Sequence, residues 1–185
     1  MKFGIIKERK NPPDRRVVFT PEELVRLQSE HPEAEIKVES SDIRIFSDDQ
    51  YRNLGLNVTA EMSDCDVLFG VKEVPVDALI PNKKYFFFSH TIKKQPYNRK
   101  LLKAILDKNI ELYDHETIVD ATNHRLIGFG RYAGLVGAYN GFRGFGIKYD
   151  LFTLPKAETL SGKEDLIARL KRQTLPNIKI VLTGH

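Results

Sequence analysis

The sequence predicts an α/β fold: a doubly wound, mostly parallel sheet, followed by a glycine-rich linking helix. Three observations predict it. Short apolar runs alternate with polar, helix-like stretches through the first 130 residues, the pattern of strand–helix–strand units. Two of those runs, residues 66–71 (DVLFGV) and 85–89 (YFFFS), are apolar almost throughout, as strands covered on both faces are. The composition is that of a soluble folded domain, with 185 residues, 41% hydrophobic and 29% charged, which excludes wholesale disorder.

The elements follow in order. Residues 2–7 (KFGIIK) read as a strand. Thr20-Pro21-Glu22-Glu23 reads as a helix start, with a hydroxyl cap, a proline in the first turn and acids at the positive helix end. Leu24 and Leu27, with Val25 beside them, supply its inward stripe. Residues 34–39 (AEIKVE) are a second strand, and 48–54 a short helix closed by Gly55. After the runs at 66–71 and 85–89, residues 96–109 carry Leu101, Leu102, Ile105 and Leu106 at helical spacing. Residues 110–113 form another strand, and 125–129 (RLIGF) a further strand-like run.

The remainder reads differently. Gly130, Gly134, Gly137, Gly141 and Gly144 recur three and four residues apart, on one face of a predicted helix. Each weakens a helix by about 1 kcal/mol, so that bare face has a use: close packing against another element, or direct approach to a ligand. Residues 152–161 read as a connector and 162–173 as a helix with Leu166, Ile167 and Leu170 inward. Residues 178–182 (IKIVL) read as a fresh strand running into Thr183-Gly184. A strand leading into glycine is how a dinucleotide-binding unit begins, which makes Gly184 a candidate cofactor-binding residue. The expected domains are therefore 1–130, an α/β domain; 131–160, the linking helix and connector; and 161–185, the start of a truncated nucleotide-binding domain of a longer protein.

Composition narrows the function. The formal charge is +4, from 29 basic and 25 acidic side chains. That favours anionic small molecules without the concentrated charge that nucleic acid asks for. A single cysteine, Cys65, allows neither an internal disulfide nor a cysteine metal site, and no metal is expected. No stretch approaches the roughly 20 apolar residues of a membrane-spanning helix. The N-terminus lacks the pattern of a signal peptide, so a cytoplasmic protein is expected. Gly128-Phe129-Gly130-Arg131-Tyr132-Ala133-Gly134 approaches a phosphate-binding fingerprint, but its last spacing is one residue too long and two aromatic residues crowd it.

In an open parallel sheet, ligands sit outside the carboxyl ends of the strands. After the first strand come Lys7, Glu8, Lys10, Arg15 and Arg16; after DVLFGV, Lys72 and Glu73; after YFFFS, His90 and Lys93; after IELY, Asp114, His115 and Glu116. Arg125 opens RLIGF and Arg131 follows it. These ends converge on one basic rim holding a histidine and some carboxylates. Taken singly, each residue also has an ordinary structural use: a hydrogen-bonded histidine, a surface ion pair, a solvated loop.

Several ordered motifs carry a resemblance. GIIKERKNPPDRRVVFTPEEL resembles the opening of the alanine dehydrogenase and transhydrogenase N-terminal domain. VKEVP, PNKKYFFFSHTIKKQPYN, LYDHE and FGRYAGLVGAYNGFRGFG resemble the lysine-ketoglutarate reductase and saccharopine dehydrogenase branch, from residue 3 to about 150. The resemblance implies a Rossmann-like substrate domain of an oxidoreductase. Such an enzyme reversibly joins lysine and 2-oxoglutarate into saccharopine, with NAD or NADP bound mainly by a domain beyond His185. It implies Lys72 and His90 as the acid–base pair, and Arg16 and Arg125 as carboxylate-binding residues. Lys93 and Glu116 match positions lining the same site, Lys10 matches approximately because its loop differs in length, and Arg131 agrees with reductase-type sequences. Small-molecule substrates are the implied partners, with a homo-oligomer possible. Two alternatives stay open: an alanine-type amino-acid dehydrogenase domain, and a stand-alone ligand-binding or regulatory module.

Overall fold

Six strands build the predicted sheet: β1 Lys2–Ile5, β2 Glu35–Glu39, β3 Asn57–Thr59, β4 Val67–Phe69, β5 Lys84–Phe87 and β6 Glu111–Asp114. They lie in the order β3-β2-β1-β4-β5-β6, and every neighbouring pair is parallel. The order reverses between β1 and β4, which makes that seam the topological switch point of a doubly wound sheet. These coordinates come from a computed structural model that describes residues 1–182. The chain divides into two units, Met1–Gly128 and the remainder from Phe129.

Helices cover both faces of the sheet in the first unit. α1 (Pro21–Glu30) and α2 (Asp48–Arg52) lay Leu24 and Tyr51 over Ile5, Ile36 and Val38. α3 (Arg99–Asp107) lays Leu101, Ala104 and Ile105 over Leu68, Tyr85 and Phe87 on the other face. The start of α1 is a reciprocal cap: Glu23 N–H donates to Thr20 Oγ1 at 3.2 Å, and Thr20 N–H donates to the Glu23 carboxylate at 2.9 Å, each satisfying an otherwise orphaned donor. Ser47 and Gln50 repeat the device on α2. Gly55 ends that segment with φ of 81°, a conformation only glycine adopts without strain.

The switch-point seam is tight. A Cβ placed on Gly4 of β1 would lie 2.7 Å from Leu68 Cδ2 of β4 and 3.0 Å from the Met62 sulfur. Glycine is therefore what lets these two strands and the chain beneath them meet. Cys65 is fully buried in the same cluster. Burial first, and neighbouring Asp64 second, push its thiol up, which keeps it unreactive packing.

The structure departs from the sequence reading in several places. β3 is unexpected: three residues at the sheet edge, too short to show alternation. Leu102 and Leu106 do not join the inward stripe of α3 and are 41% and 70% exposed; the buried stripe follows residues 101, 104 and 105. Residues 125–129 form no strand. They are held in a small loop by an isolated antiparallel bridge between Val119 and Arg125 and by Asp120 Oδ1, which accepts the Thr122 and His124 N–H groups. Residues 178–182 also form no strand: Val181 and Leu182 are 75% and 91% exposed, and a strand needs a neighbour to complete its ladder.

The second unit holds α4 (Gly130–Lys148) and α5 (Lys163–Lys171), joined by a largely irregular connector with one short 3₁₀ turn at Ala157–Thr159. Tyr139, Leu154 and Leu166 form their shared core. The Tyr139 hydroxyl donates to the Pro155 carbonyl at 2.9 Å and Arg143 Nε to that of Leu154 at 3.0 Å. The close packing expected of the glycines occurs at a different one: a Cβ on Gly146 would fall 2.5 Å from the Phe152 carbonyl oxygen, whereas a Cβ on any glycine of the stripe from Gly130 to Gly144 would meet, beyond the helix's own backbone, no described atom of its unit within 4 Å. No helix among the described residues is long and apolar enough to cross a membrane.

Candidate active site

Parallel pairing brings the carboxyl ends of β1, β4, β5 and β6 to one edge, and backbone bonds hold the segments leaving them together. Gly70 N–H donates to the Phe86 carbonyl at 2.8 Å, Phe88 N–H to that of Val71 at 3.0 Å, and His115 N–H to that of Phe87 at 3.2 Å. Lys72, His90 and Glu116 thus leave neighbouring strands side by side along one rim.

The rim has two clusters. The first is centred on Glu116, whose side chain is 3% exposed. His90 Nδ1 lies 3.0 Å from its Oε2. Lys93 Nζ and Arg125 Nη2 lie 3.2 and 3.1 Å from its Oε1. Burial pushes the Glu116 carboxyl up, but hydrogen bonds from His90 and Lys93 outweigh it and hold the group below the ordinary carboxylate range. Glu116 is therefore an ionised acceptor. That puts an N–H on His90 Nδ1, so that in the neutral ring Nε2 is the acceptor, with the tautomer following from the hydrogen-bond network. Lys93 Nζ also lies 3.2 Å from Nδ1; since Nδ1 donates, Lys93 pairs with the carboxylate and not with the ring.

Three polar residues fix this geometry. His90 has a left-handed backbone, φ 57°, a conformation that costs energy outside glycine and persists where neighbours enforce it. Asn98, buried, donates its side-chain N–H to the His90 carbonyl at 2.8 Å. Asp114 accepts the Ser89 hydroxyl through one oxygen and the Glu116 N–H, at 2.8 Å, through the other. One carboxylate thereby ties the loop bearing His90 to the loop bearing Glu116. Sequence reading missed Asn98 and Ser89 as site-building residues, and nothing in their local spacing signals them.

The second cluster surrounds Lys72. Arg16 pairs with Asp14, with Nε 2.9 Å from Oδ1. The Arg16 hydrogen bond is the main cause holding the Asp14 carboxyl below its ordinary range, with a smaller attraction from the Lys72 ammonium. Lys10 Nζ reaches Glu73 at 3.4 Å. Lys10, Glu73, Tyr97, Asn98 and Lys100 line an open groove of about 320 Å³. A larger apolar cavity of about 370 Å³ lies along the sheet face that α1 covers, lined by Phe3, Leu24, Phe69 and Ala34, and none of these charged groups is in its wall.

The structure thus brings His90, Lys93, Glu116 and Arg125 into direct contact and gathers Lys72, Arg16 and Lys10 at neighbouring strand exits. Arg131 stands in the first turn of α4, in the second unit, and Gly184 lies outside the described residues. Among the described residues, no group of three or more His, Cys, Asp or Glu side chains could hold a metal ion.

Comparison with known proteins agrees with this architecture. Residues 4–136 match the family described as alanine dehydrogenase/PNT, N-terminal domain. An alpha-aminoadipic semialdehyde synthase of Arabidopsis thaliana is 35% identical over 147 residues, covering 77% of this chain and 14% of that protein. A saccharopine dehydrogenase [NAD(+), L-lysine-forming] of Yarrowia lipolytica is 27% identical, covering 75% of this chain and 40% of its own length. The solved structure of an L-alanine dehydrogenase superposes with a TM-score of 0.58 at 20% identity, over 80% of this chain and 41% of that one. The chain spans less than half the length of each.

Proposed function

The chain belongs to the alanine dehydrogenase/PNT N-terminal domain family, and on that premise we propose that it is the substrate-binding part of an oxidoreductase that forms or cleaves saccharopine. The observation that carries this reading is the Glu116 cluster: one carboxylate carries Lys93 and Arg125 and orients His90, at the edge where Lys72 and Arg16 also emerge. Two cations on one carboxylate leave positive charge for a ligand. Saccharopine, with three carboxylates, suits a rim of Arg16, Lys93 and Arg125, since arginine grips carboxylates in a bidentate fork.

The acid–base work falls to His90 and Lys72. With Nδ1–H held by Glu116, His90 Nε2 can take a proton from water as it adds to an imine carbon, and return it in the reverse direction. Lys72, leaving the neighbouring strand, is the group that can pass the proton at the amine nitrogen. The family's nicotinamide cofactor, NAD or NADP, is the hydride carrier when bound. Among the described residues no strand leads into a glycine-rich turn, since the Gly128–Gly130 segment follows a loop. We infer that the nucleotide is held mainly by residues outside this substrate-binding part.

Calorimetric titration of the chain with saccharopine, lysine and pyruvate tests the reading. Saccharopine is expected to bind tightest, and Arg16→Ala and Lys93→Ala to weaken it at least about tenfold each. Tighter binding of pyruvate would replace this reading with an alanine-type dehydrogenase, and no binding of any of the three would favour a module of another kind.

A further inference from the structure

The five-residue path from Gly70 to Val74 begins with a backbone whose polar groups are all spoken for. Gly70 N–H goes to Phe86. The Gly70 carbonyl accepts His115 Nε2–H at 3.1 Å. Val71 N–H donates to Glu8 Oε1 at 2.7 Å and Lys72 N–H to Glu8 Oε2 at 2.8 Å, while the Val71 carbonyl accepts Phe88 N–H. Two of these partners are titratable side chains from other strand exits, Glu8 after β1 and His115 after β6. Both are buried, 8% and 5% exposed.

We propose that Glu8 is a positioning residue for Lys72: its carboxylate grips the two successive N–H groups that carry Lys72, across the switch point, while His115 holds the preceding carbonyl from the opposite side. This deepens the reading of Lys72 as an acid–base group and rests on it. A carboxylate accepting two charge-assisted bonds can fix a backbone with no helix or strand of its own. The cost is a charge taken out of water, and a neutral hydrogen-bonding partner would have avoided it if packing were the only need. Burial is the main cause raising the Glu8 carboxyl above its ordinary range, against the two N–H bonds; Asp14 adds to the rise and Arg16 opposes it. His115 is pushed the other way, chiefly by burial. As a neutral ring it donates through Nε2, and it packs edge-on to Phe88 at 5.1 Å, which in turn stacks on His90. The clamp therefore reaches both members of the proposed acid–base pair.

Amide hydrogen exchange on the full 185-residue chain tests this, with Glu8→Gln as the variant. An amide side chain can accept one of the two N–H groups but turns its own NH₂ toward the other. The Val71 and Lys72 amides are expected to exchange about 10- to 100-fold faster, the range for a lost hydrogen bond to a charged group, while Val38 and Tyr85 in the sheet keep wild-type rates. Acylation of Lys72 by an amine-reactive ester, read by peptide mass spectrometry, is expected to change several-fold with no change at Lys163, and saccharopine affinity to fall about tenfold. Unchanged exchange at the two amides, or a loss spread evenly over the sheet, overturns the proposal. So does faster exchange at the two amides with unchanged Lys72 reactivity. Should Glu8→Gln not fold, the wild type still decides: the Val71 and Lys72 amide proton resonances should titrate together with one midpoint above the ordinary glutamate value, and separate midpoints or none overturn the clamp. Failure of the wild type to bind saccharopine sinks the functional reading alone, since the exchange data judge Glu8 independently.

Discussion

Glu8 and Glu116 are the same residue type, buried at the same sheet edge, yet they are held in opposite ways. Glu8 receives two backbone N–H groups, and burial leaves its carboxyl raised. Glu116 receives an imidazole, an ammonium and a guanidinium, and despite burial its carboxyl is lowered. The difference separates two uses of a buried acid. At the β1–β4 seam the charge organises backbone; at the β5–β6 exits it organises other charges. The first makes a rigid frame, the second an electrostatic surface that a ligand can compete for.

The largest expected effect tests whether both regions serve one reaction. In the complete enzyme, Lys72→Met and His90→Gln should each slow turnover by about 10²-fold or more, the usual share of a positioned acid or base. Wild-type steady-state rates in both would reduce the comparison to two structural motifs. Next comes the rigidity of the seam. Gly4→Ala should lower stability in urea by about 1–3 kcal/mol, because the added methyl falls 2.7 Å from Leu68 Cδ2 in a packed layer. A neutral result would mean the frame yields easily.

The two carboxylates should also split in an acid scan. A lowered native pKa gives Glu116 stability that is present above the ordinary glutamate value and lost as pH falls through the native one. The raised Glu8 value works in reverse, its contribution present at low pH and lost as pH rises through it. Between pH 7 and 3, thermal midpoints of Glu116→Gln should therefore drop less than those of the wild type, and those of Glu8→Gln should drop more. Parallel profiles would erase the distinction. The smallest effect is Arg125→Ala. This side chain is 56% exposed, so removing its ion pair should change stability by less than about 1 kcal/mol, while calorimetry should still register weaker saccharopine binding.

Much of this was legible in the chain. The cap at Thr20 and Glu23, the apolar runs and the alternation led to the doubly wound sheet because each is a local signal with one structural solution. Reading off the residues after each strand found Lys72, His90 and Glu116, since parallel pairing alone dictates that they share an edge. What could not be read was decided at long range. β3 exists because β2 offers it a ladder; residues 125–129 find no more than the single bridge from Arg125 to Val119, and 178–182 find no ladder among the described residues. Asn98 and Ser89 are ordinary polar residues until folding delivers them to the His90 carbonyl and to Asp114. Roles for Arg16 and Arg125 came from the family resemblance and not from their spacing.

The left-handed backbone of His90 narrows the alphabet allowed at that position before any chemistry is considered. Asparagine, aspartate and glycine fit it most readily, while valine and isoleucine carry a conformational penalty of their own. A substitution library scored for folding alone would therefore favour those three replacements at residue 90. His90→Asn then becomes the cleaner probe of the imidazole, because it removes the proton carrier and leaves the bend of the chain undisturbed.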